Sequence, residues 1–232
     1  MPSEFSVLIL TAAPPGMAID AGGAYVKIDG REALLRSVEL FLNRDNVKQI
    51  TVVVLPEMLE EAKRKYGGHF GFSGVKLASG GPKWMNQIHA GAGSLAADAS
   101  HVIVHDAARP AVPYSDIDAL MSEAENRDAI VLTSPVKSVL AEVDEGGNAM
   151  AYHLPNRFVN LLTPQAFKRD RFLKMAETET EIHASEVTLL KGSPLNVRLS
   201  GPGEATVVKA MINMLPKPKL KAPSSPFEEA QW

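Results

Sequence analysis

His101-Val102-Ile103-Val104-His105 runs straight into Asp106-Ala107-Ala108-Arg109-Pro110. A short, apolar, β-branched run of this kind predicts a buried strand. Asp106 then stands at the strand's carboxyl end, and the two small residues after it let the backbone approach a ligand. Outward from this stretch, the apolar period switches repeatedly between strand-like runs and helical stripes. Phe5 to Leu10 predicts a first buried strand, ending in the loop Ala12-Ala13-Pro14-Pro15-Gly16. Arg31 to Asn43 carries a broad helical apolar face, and Ile50 to Leu55 predicts a second strand. Glu57 to Tyr66 predicts a solvent-facing helix that Gly67-Gly68 ends. Val75 to Ala78 is a weaker strand, and Trp84 to Ala97 a helix. Beyond Pro110, Ser115 is the expected cap of a helix, and Ala129 to Thr133 is a fifth strand. This alternation predicts an α/β fold with a mostly parallel sheet covered on both faces, and its ligand loops along one rim.

The pattern changes between Val136 and Gln165. Val139 to Val143 and Ala149 to Tyr152 flank Asp144-Glu145-Gly146-Gly147-Asn148, a hairpin signal that predicts an arm leaving the main sheet. Tyr152, Met150 and Leu154 are its candidate apolar contacts. Phe167 to Glu179 and Ser185 to Leu190 read as helices, Leu195 to Leu199 as a last strand, and Glu204 to Leu215 as a last helix. Residues 216–232 hold four prolines and few apolar residues, which predicts an extended or disordered tail.

Composition narrows the function classes. A net charge of −3 over 232 residues gives no global attraction for nucleic acid or an anionic membrane. The absence of cysteine excludes disulfides, thiolate metal sites and cysteine nucleophiles. Phe5 to Ala13 is too short to span a bilayer and lacks a preceding basic region, so the cytoplasm is the expected location. The histidines show no metal-ligand spacing such as a helical His-x-x-x-His, and Gly71-Phe72-Ser73 lacks the last glycine of a nucleophile elbow.

Five segments in the same order carry a resemblance. His105 to Pro110 is the sharpest. Gly80-Gly81 precedes the Trp84 helix, and Ser134-Pro135-Val136-Lys137 enters the arm. Leu162-Thr163-Pro164-Gln165-Ala166-Phe167 follows the arm, and Asn196 to Glu204 comes near the end. Together they resemble the 2-C-methyl-D-erythritol 4-phosphate cytidylyltransferase family over about residues 5 to 215. The resemblance implies one Rossmann-like nucleotidyltransferase domain over residues 1–215, with residues 136–160 as a protruding dimerisation arm. It implies transfer of a cytidylyl group from CTP to a sugar-alcohol phosphate in isoprenoid biosynthesis, releasing pyrophosphate. By position, it assigns the nucleotide to Ala12, Ala13, Gly16, Gly80, Gly81, Asp106, Ala107 and Ala108. It assigns the phosphorylated substrate to Arg109, Arg157, Thr163 and Arg198, catalysis to Asp106 and Arg198, and Mg²⁺ to Asp106. A homodimer through the arm is implied as well. Apart from any resemblance, Asp106 has a second reading, in which it caps the following turn and pairs with Arg109.

Against the family pattern, the first loop is altered. The family reads Ala-Ala-Gly-x-Gly-x-Arg-Met and then Pro-Lys-Gln-Tyr, with amides and two cations for the phosphates. Here Ala12-Ala13-Pro14-Pro15-Gly16-Met17 is shorter, no arginine lies between Met1 and Gly30, and Gly23 takes the lysine's place. Trp84 and Gln87 replace an arginine and a serine that contact the nucleotide, and Ile182 to Ser185 replaces a Thr-Asp motif. Ser138 and Val139 replace an Asp and a Thr at the entry to the arm. Lys27 and Lys83 are the candidate substitutes for the missing charge, although each reads more readily as an ordinary surface lysine. The sequence therefore leaves three readings: a divergent cytidylyltransferase of weak or lost activity, a non-catalytic binding or scaffold homologue, and a nucleotidyltransferase for another phosphorylated acceptor.

Overall fold

The computed structural model describes residues 3–17 and 22–215. The end of the first loop, residues 18–21, and the proline-rich tail, 216–232, lie outside the described residues. β1 (Phe5–Leu10) is followed by a short 3₁₀ turn at Gly22–Tyr25 and the two-residue strands β2 (Lys27–Ile28) and β3 (Arg31–Glu32). Then come α1 (Ala33–Leu42), β4 (Val47–Val54), α2 (Leu59–Phe72), β5 (Lys76–Ser79), α3 (Trp84–Ala92) and β6 (His101–Asp106). α4 (Tyr114–Ala124) and β7 (Ala129–Pro135) lead into the arm strands β8 (Leu140–Val143) and β9 (Ala149–His153). The chain returns through β10 (Val159–Lys168), α5 (Arg169–Thr178), β11 (Thr188–Lys191) and α6 (Ala205–Met214).

Seven strands form one sheet in the order β11-β7-β10-β6-β1-β4-β5. Every neighbouring pair is parallel except those made by β10, which runs antiparallel between β6 and β7. In β1, Val7 and Ile9 face the core built with α1, α2 and α4, while Leu8 and Leu10 face the core built with α3 and α5. That two-sided burial is why the strand sequence is continuously apolar. The register sets Leu10 beside both Asp106 and Val53, so the carboxyl ends of β1, β4 and β6 form one rim.

Several boundaries differ from the sequence expectation. α2 does not stop at Gly67-Gly68 but continues to Phe72. Tyr66 and Phe70, one turn apart, are both buried against the sheet, and this packing outweighs a glycine cost of about 1 kcal/mol each. The real terminator is Gly74, at φ +68°, where the Val75 amide reaches the Phe70 carbonyl at 2.9 Å. α3 ends at Ala92 rather than Ala97, because the amide and hydroxyl of Ser94 both bind the Gly91 carbonyl. Ser115 lies inside the first turn of α4, where no side chain caps the helix. Phe167 belongs to β10, so the helix after it begins only at Arg169.

Two assignments change type. Ser185 to Leu190 is not a helix. Its residues 188–190 belong to the edge strand β11, whose Leu190 turns to the core while Leu189 turns to a cleft. Leu195 to Leu199 is not a strand but an irregular segment lying across the rim. Its backbone bonds the turn after β6 instead of a neighbouring strand: the Leu199 amide donates to the Ala108 carbonyl at 2.8 Å. The arm hairpin is as expected, with Leu140 opposite His153 and the Asn148 amide closing the turn on Asp144 Oδ1 at 2.8 Å.

Candidate functional site at the strand rim

The turn after β6 is held entirely from within. His105 is fully buried; its Nε2–H donates to the Arg109 carbonyl at 3.1 Å, so its Nδ1 is left to accept from the Thr163 hydroxyl at 3.2 Å. The same hydroxyl oxygen accepts from the Asp106 amide at 3.0 Å. Burial, reinforced by the nearby Arg109 guanidinium, pushes the His105 imidazole down to about 3, so the ring is neutral. The Ala107 amide bonds the Leu10 carbonyl, the Ala108 amide bonds Asp106 Oδ1, and the Arg109 amide bonds the Asp106 carbonyl. No amide of this turn is left for a ligand.

Asp106 itself is enclosed. Its Oδ2 accepts from Arg198 Nε at 2.8 Å and faces Arg109 Nε at 3.6 Å, while Oδ1 caps the turn through Ala108 at 2.9 Å. Both readings made from the sequence, cap and ion pair, are therefore realised together. Burial pushes the carboxyl up and the two guanidiniums pull it back. A resident Mg²⁺ does not fit this carboxylate, because both of its oxygens are taken, one of them by two cations. Among the described residues, no group of three or more acidic, histidine or cysteine side chains gathers as a metal cage.

Arg109 and Asn196 make up the rest of the floor. Arg109 donates through Nη1 to the Asn196 carbonyl at 3.0 Å, and Asn196 Nδ2 donates to the Thr163 carbonyl at 2.7 Å. Arg109 Nε and Asn196 Oδ1 are buried and lack a hydrogen-bond partner among the described residues. Both residues line a cleft of about 1150 Å³, at the upper end of small-molecule sites. Its wall is largely apolar, from Pro14, Pro15, Met17, Trp84, Ile88 and Leu161, and Arg109, Lys137 and Arg198 bring positive charge.

The first loop reaches this cleft through Pro14 to Met17, with Gly16 at φ +77°. Its root is tied elsewhere: Gln87 Oε1 accepts from the Thr11 amide at 2.9 Å and the Ala12 amide at 3.0 Å. Gly23, where the resemblance sets a lysine, is buried in the 3₁₀ turn against the irregular segment. A Cβ there would stand 2.0 Å from the Leu199 carbonyl oxygen. No side chain fits this position, so the missing cation is not restored by a substitution at Gly23 alone.

Of the residues assigned from sequence, Asp106, Ala107, Ala108, Arg109, Thr163 and Arg198 come together at the turn after β6 and the cleft floor. Gly16 borders the cleft and Ala12 lies behind it, while Ala13 is half-buried in the loop between them. Gly80 and Gly81 do not border it: they pack against Gln87 and Asn86 at the start of α3. Arg157 is exposed on the arm, away from the cleft of its own chain. The two candidate substitutes also miss it. Lys27 is exposed on β2 opposite Glu32, and Lys83 is exposed before α3. Lys137 instead borders the cleft; it stands in the quoted Pro135-Val136-Lys137 segment, which was its only signal.

The model of the family described as 2-C-methyl-D-erythritol 4-phosphate cytidylyltransferase matches residues 6–211. The chain belongs to that family. A cytidylyltransferase of this name from Clostridioides difficile is 25% identical over 228 residues, covering 90% of this chain and 94% of that one. One from Escherichia coli is 30% identical over 148 residues, covering 63% and 61%. Among solved structures, 4-diphosphocytidyl-2C-methyl-D-erythritol synthase from Anaerococcus prevotii superposes with a TM-score of 0.73 at 16% identity, covering 91% of this chain and 97% of that one. The Thermus thermophilus cytidylyltransferase gives 0.70 at 20%, covering 90% and 99%. At these identities the solved structures speak for the fold alone. The chain thus shares the overall fold of these cytidylyltransferase structures. Among the described residues, no helix is long and apolar enough to cross a membrane.

Proposed function

We propose that this protein is a divergent cytidylyltransferase homologue. In this reading it keeps a cleft for a phosphorylated small molecule and transfers a cytidylyl group from CTP weakly or not at all. The observation that carries the reading is the wedge at Gly23, where the Leu199 carbonyl occupies the space a cationic side chain would need. Two prolines in the first loop also remove amide donors. Transfer at phosphorus depends on positioning and charge neutralisation, and losing one charge-stabilising group commonly costs roughly 10²–10⁵ in rate. Arg109, Arg198 and Lys137 remain to hold an anionic group in the cleft.

The same reading makes the protein a cytoplasmic homodimer joined by the arm. A two-stranded hairpin is marginal alone in water, and this one exposes Tyr152 at 76%, Met150 at 67% and Leu154 at 64%. Arg157 stands on the same arm, so any part it takes in binding is in the cleft of a second copy.

Pyrophosphate release from CTP and methylerythritol phosphate, with Mg²⁺ supplied, tests the function, alongside calorimetric titration with CTP. Near-background release and weak or undetectable CTP binding are expected. Micromolar CTP affinity with sustained turnover would sink the reading.

A further inference from the structure

We propose that the phosphorylated ligand of the cleft carries a hydrocarbon body, which lies in an apolar trough running from the rim down the face of the sheet. The inference rests on the reading of the cleft as the seat of a phosphorylated small molecule. To that reading it adds the class: a phosphate ester of an apolar alcohol. The floor of the trough crosses three strands in register, with Leu189 of β11 beside Val131 of β7, and Val131 beside Gln165 of β10. All three residues line the cleft. Lengthwise, the cleft follows β10 from Thr163, which holds the Asp106 amide at the rim, to Phe167, which stands opposite Val102. That is on the order of 10 Å at the rise of a strand.

Parallel strands are ordinarily covered on both faces. On one face of β7 and β11, Ile130, Leu132 and Leu190 join Ile117 and Leu120 of α4 in the core. On the other face, α3 and α5 pack on β1, β4, β6 and β10. Val131 and Leu189 alternate with the core residues, so they turn to this second face and meet the cleft there. Leu189 is left 55% exposed as a result. Ile182 and Val187, both half-buried, line the same cleft, and Trp84 closes it from α3. Trp84 and Ile182 are also two of the positions that depart from the family pattern in sequence. The charged groups of the cleft are Arg109, Lys137 and Arg198 against Glu181, with Asp106 enclosed between the two arginines. Positive charge is therefore in surplus, and Arg109 and Arg198 fix it beside the turn after β6. The matching ligand is anionic at one end and apolar at the other. A compact polar ligand would leave the trough wall against water, whereas each methylene buried there raises affinity up to about fourfold.

The test is calorimetric titration of the full chain with methyl, butyl and octyl phosphate, each below its micelle-forming concentration. Affinity should climb with chain length, by about a hundredfold or more from methyl to octyl phosphate. The readout is the ratio of octyl to methyl affinity, so a general loss of charge or of folded protein cancels. Leu189→Gln combined with Ile182→Gln should cut that ratio by about tenfold or more. If the double variant does not fold, Leu189→Gln alone carries the test, because that side chain is already more than half exposed. Equal affinity for the three esters in wild type overturns the proposal, and so does a ratio that survives intact in the folded variant. A chain-length effect seen only when Met150→Asp and Tyr152→Asp have removed the arm contacts means that a second copy fills the trough, which also overturns it. Failure of every ester to bind sinks the phosphate reading of the cleft itself. Binding without a chain-length effect spares that reading and sinks only the hydrocarbon body.

Discussion

His105 illustrates how much one side chain fixes at the rim. Its neutral ring accepts from Thr163 and donates to the Arg109 carbonyl, tying β10 to the turn that holds Asp106. With the folded value near 3 against an ordinary 6.5, the unfolded chain takes up a proton between those limits that the folded chain refuses. Stability from this residue is complete above pH 6.5 and drains away as the pH falls toward 3. Between pH 7 and pH 5 the loss amounts to about 2 kcal/mol. Urea unfolding at the two pH values should show this excess pH dependence in wild type relative to His105→Gln; equal slopes would remove His105 from the account. The hexapeptide around it was legible in the sequence because each residue type there has one task in the turn. Gln87 was legible only as a departure. That its amide reaches back over 76 positions to Thr11 depends on how α3 docks on β1, which no local pattern encodes.

At the scale of elements, the readable ones were those whose apolar period is reinforced by burial on both faces. β1, β4, β6 and β7 all stand where the alternation put them. The misread ones sit at the margin. Residues 188–191 form an edge strand with one face to the core and one to the cleft, so the apolar pattern there resembles a helical stripe. β10 was hidden because its first half follows the arm, and its identity as a strand comes from the slot between β6 and β7 rather than from its own sequence. The arm, legible from its Asp-Glu-Gly-Gly-Asn turn, carries its own prediction. Light scattering at tens of micromolar should report a dimer, and replacing Met150 and Tyr152 together with Asp should give a folded monomer. A wild-type protein that is monomeric under those conditions would separate the exposed apolar residues from self-association.

On the scale of the whole molecule, a chain of net charge −3 sets Arg109, Lys137 and Arg198 at one cleft, with Glu181 on its wall, and encloses Asp106 between the two arginines. Long-range attraction for anions is therefore weak, and any selectivity for them is local. The arm stands apart from this arrangement in a topological sense. Pro135 pairs with Val159 and Ser134 with Asn160 across the β7–β10 ladder, so the chain leaves and re-enters the sheet at adjacent points. Everything in between is, for the sheet, one long hairpin loop. Replacing residues 136–158 with Asn-Gly should leave a protein that melts cooperatively, with the circular-dichroism signature of the α/β body retained. A molten or insoluble product would mean that the body needs the arm in order to fold. Where the two strand ends already meet, such a segment is a detachable module: a lineage can lengthen it, shed it or re-aim it while the sheet keeps its register, and of the cleft's cations only Lys137 goes with it.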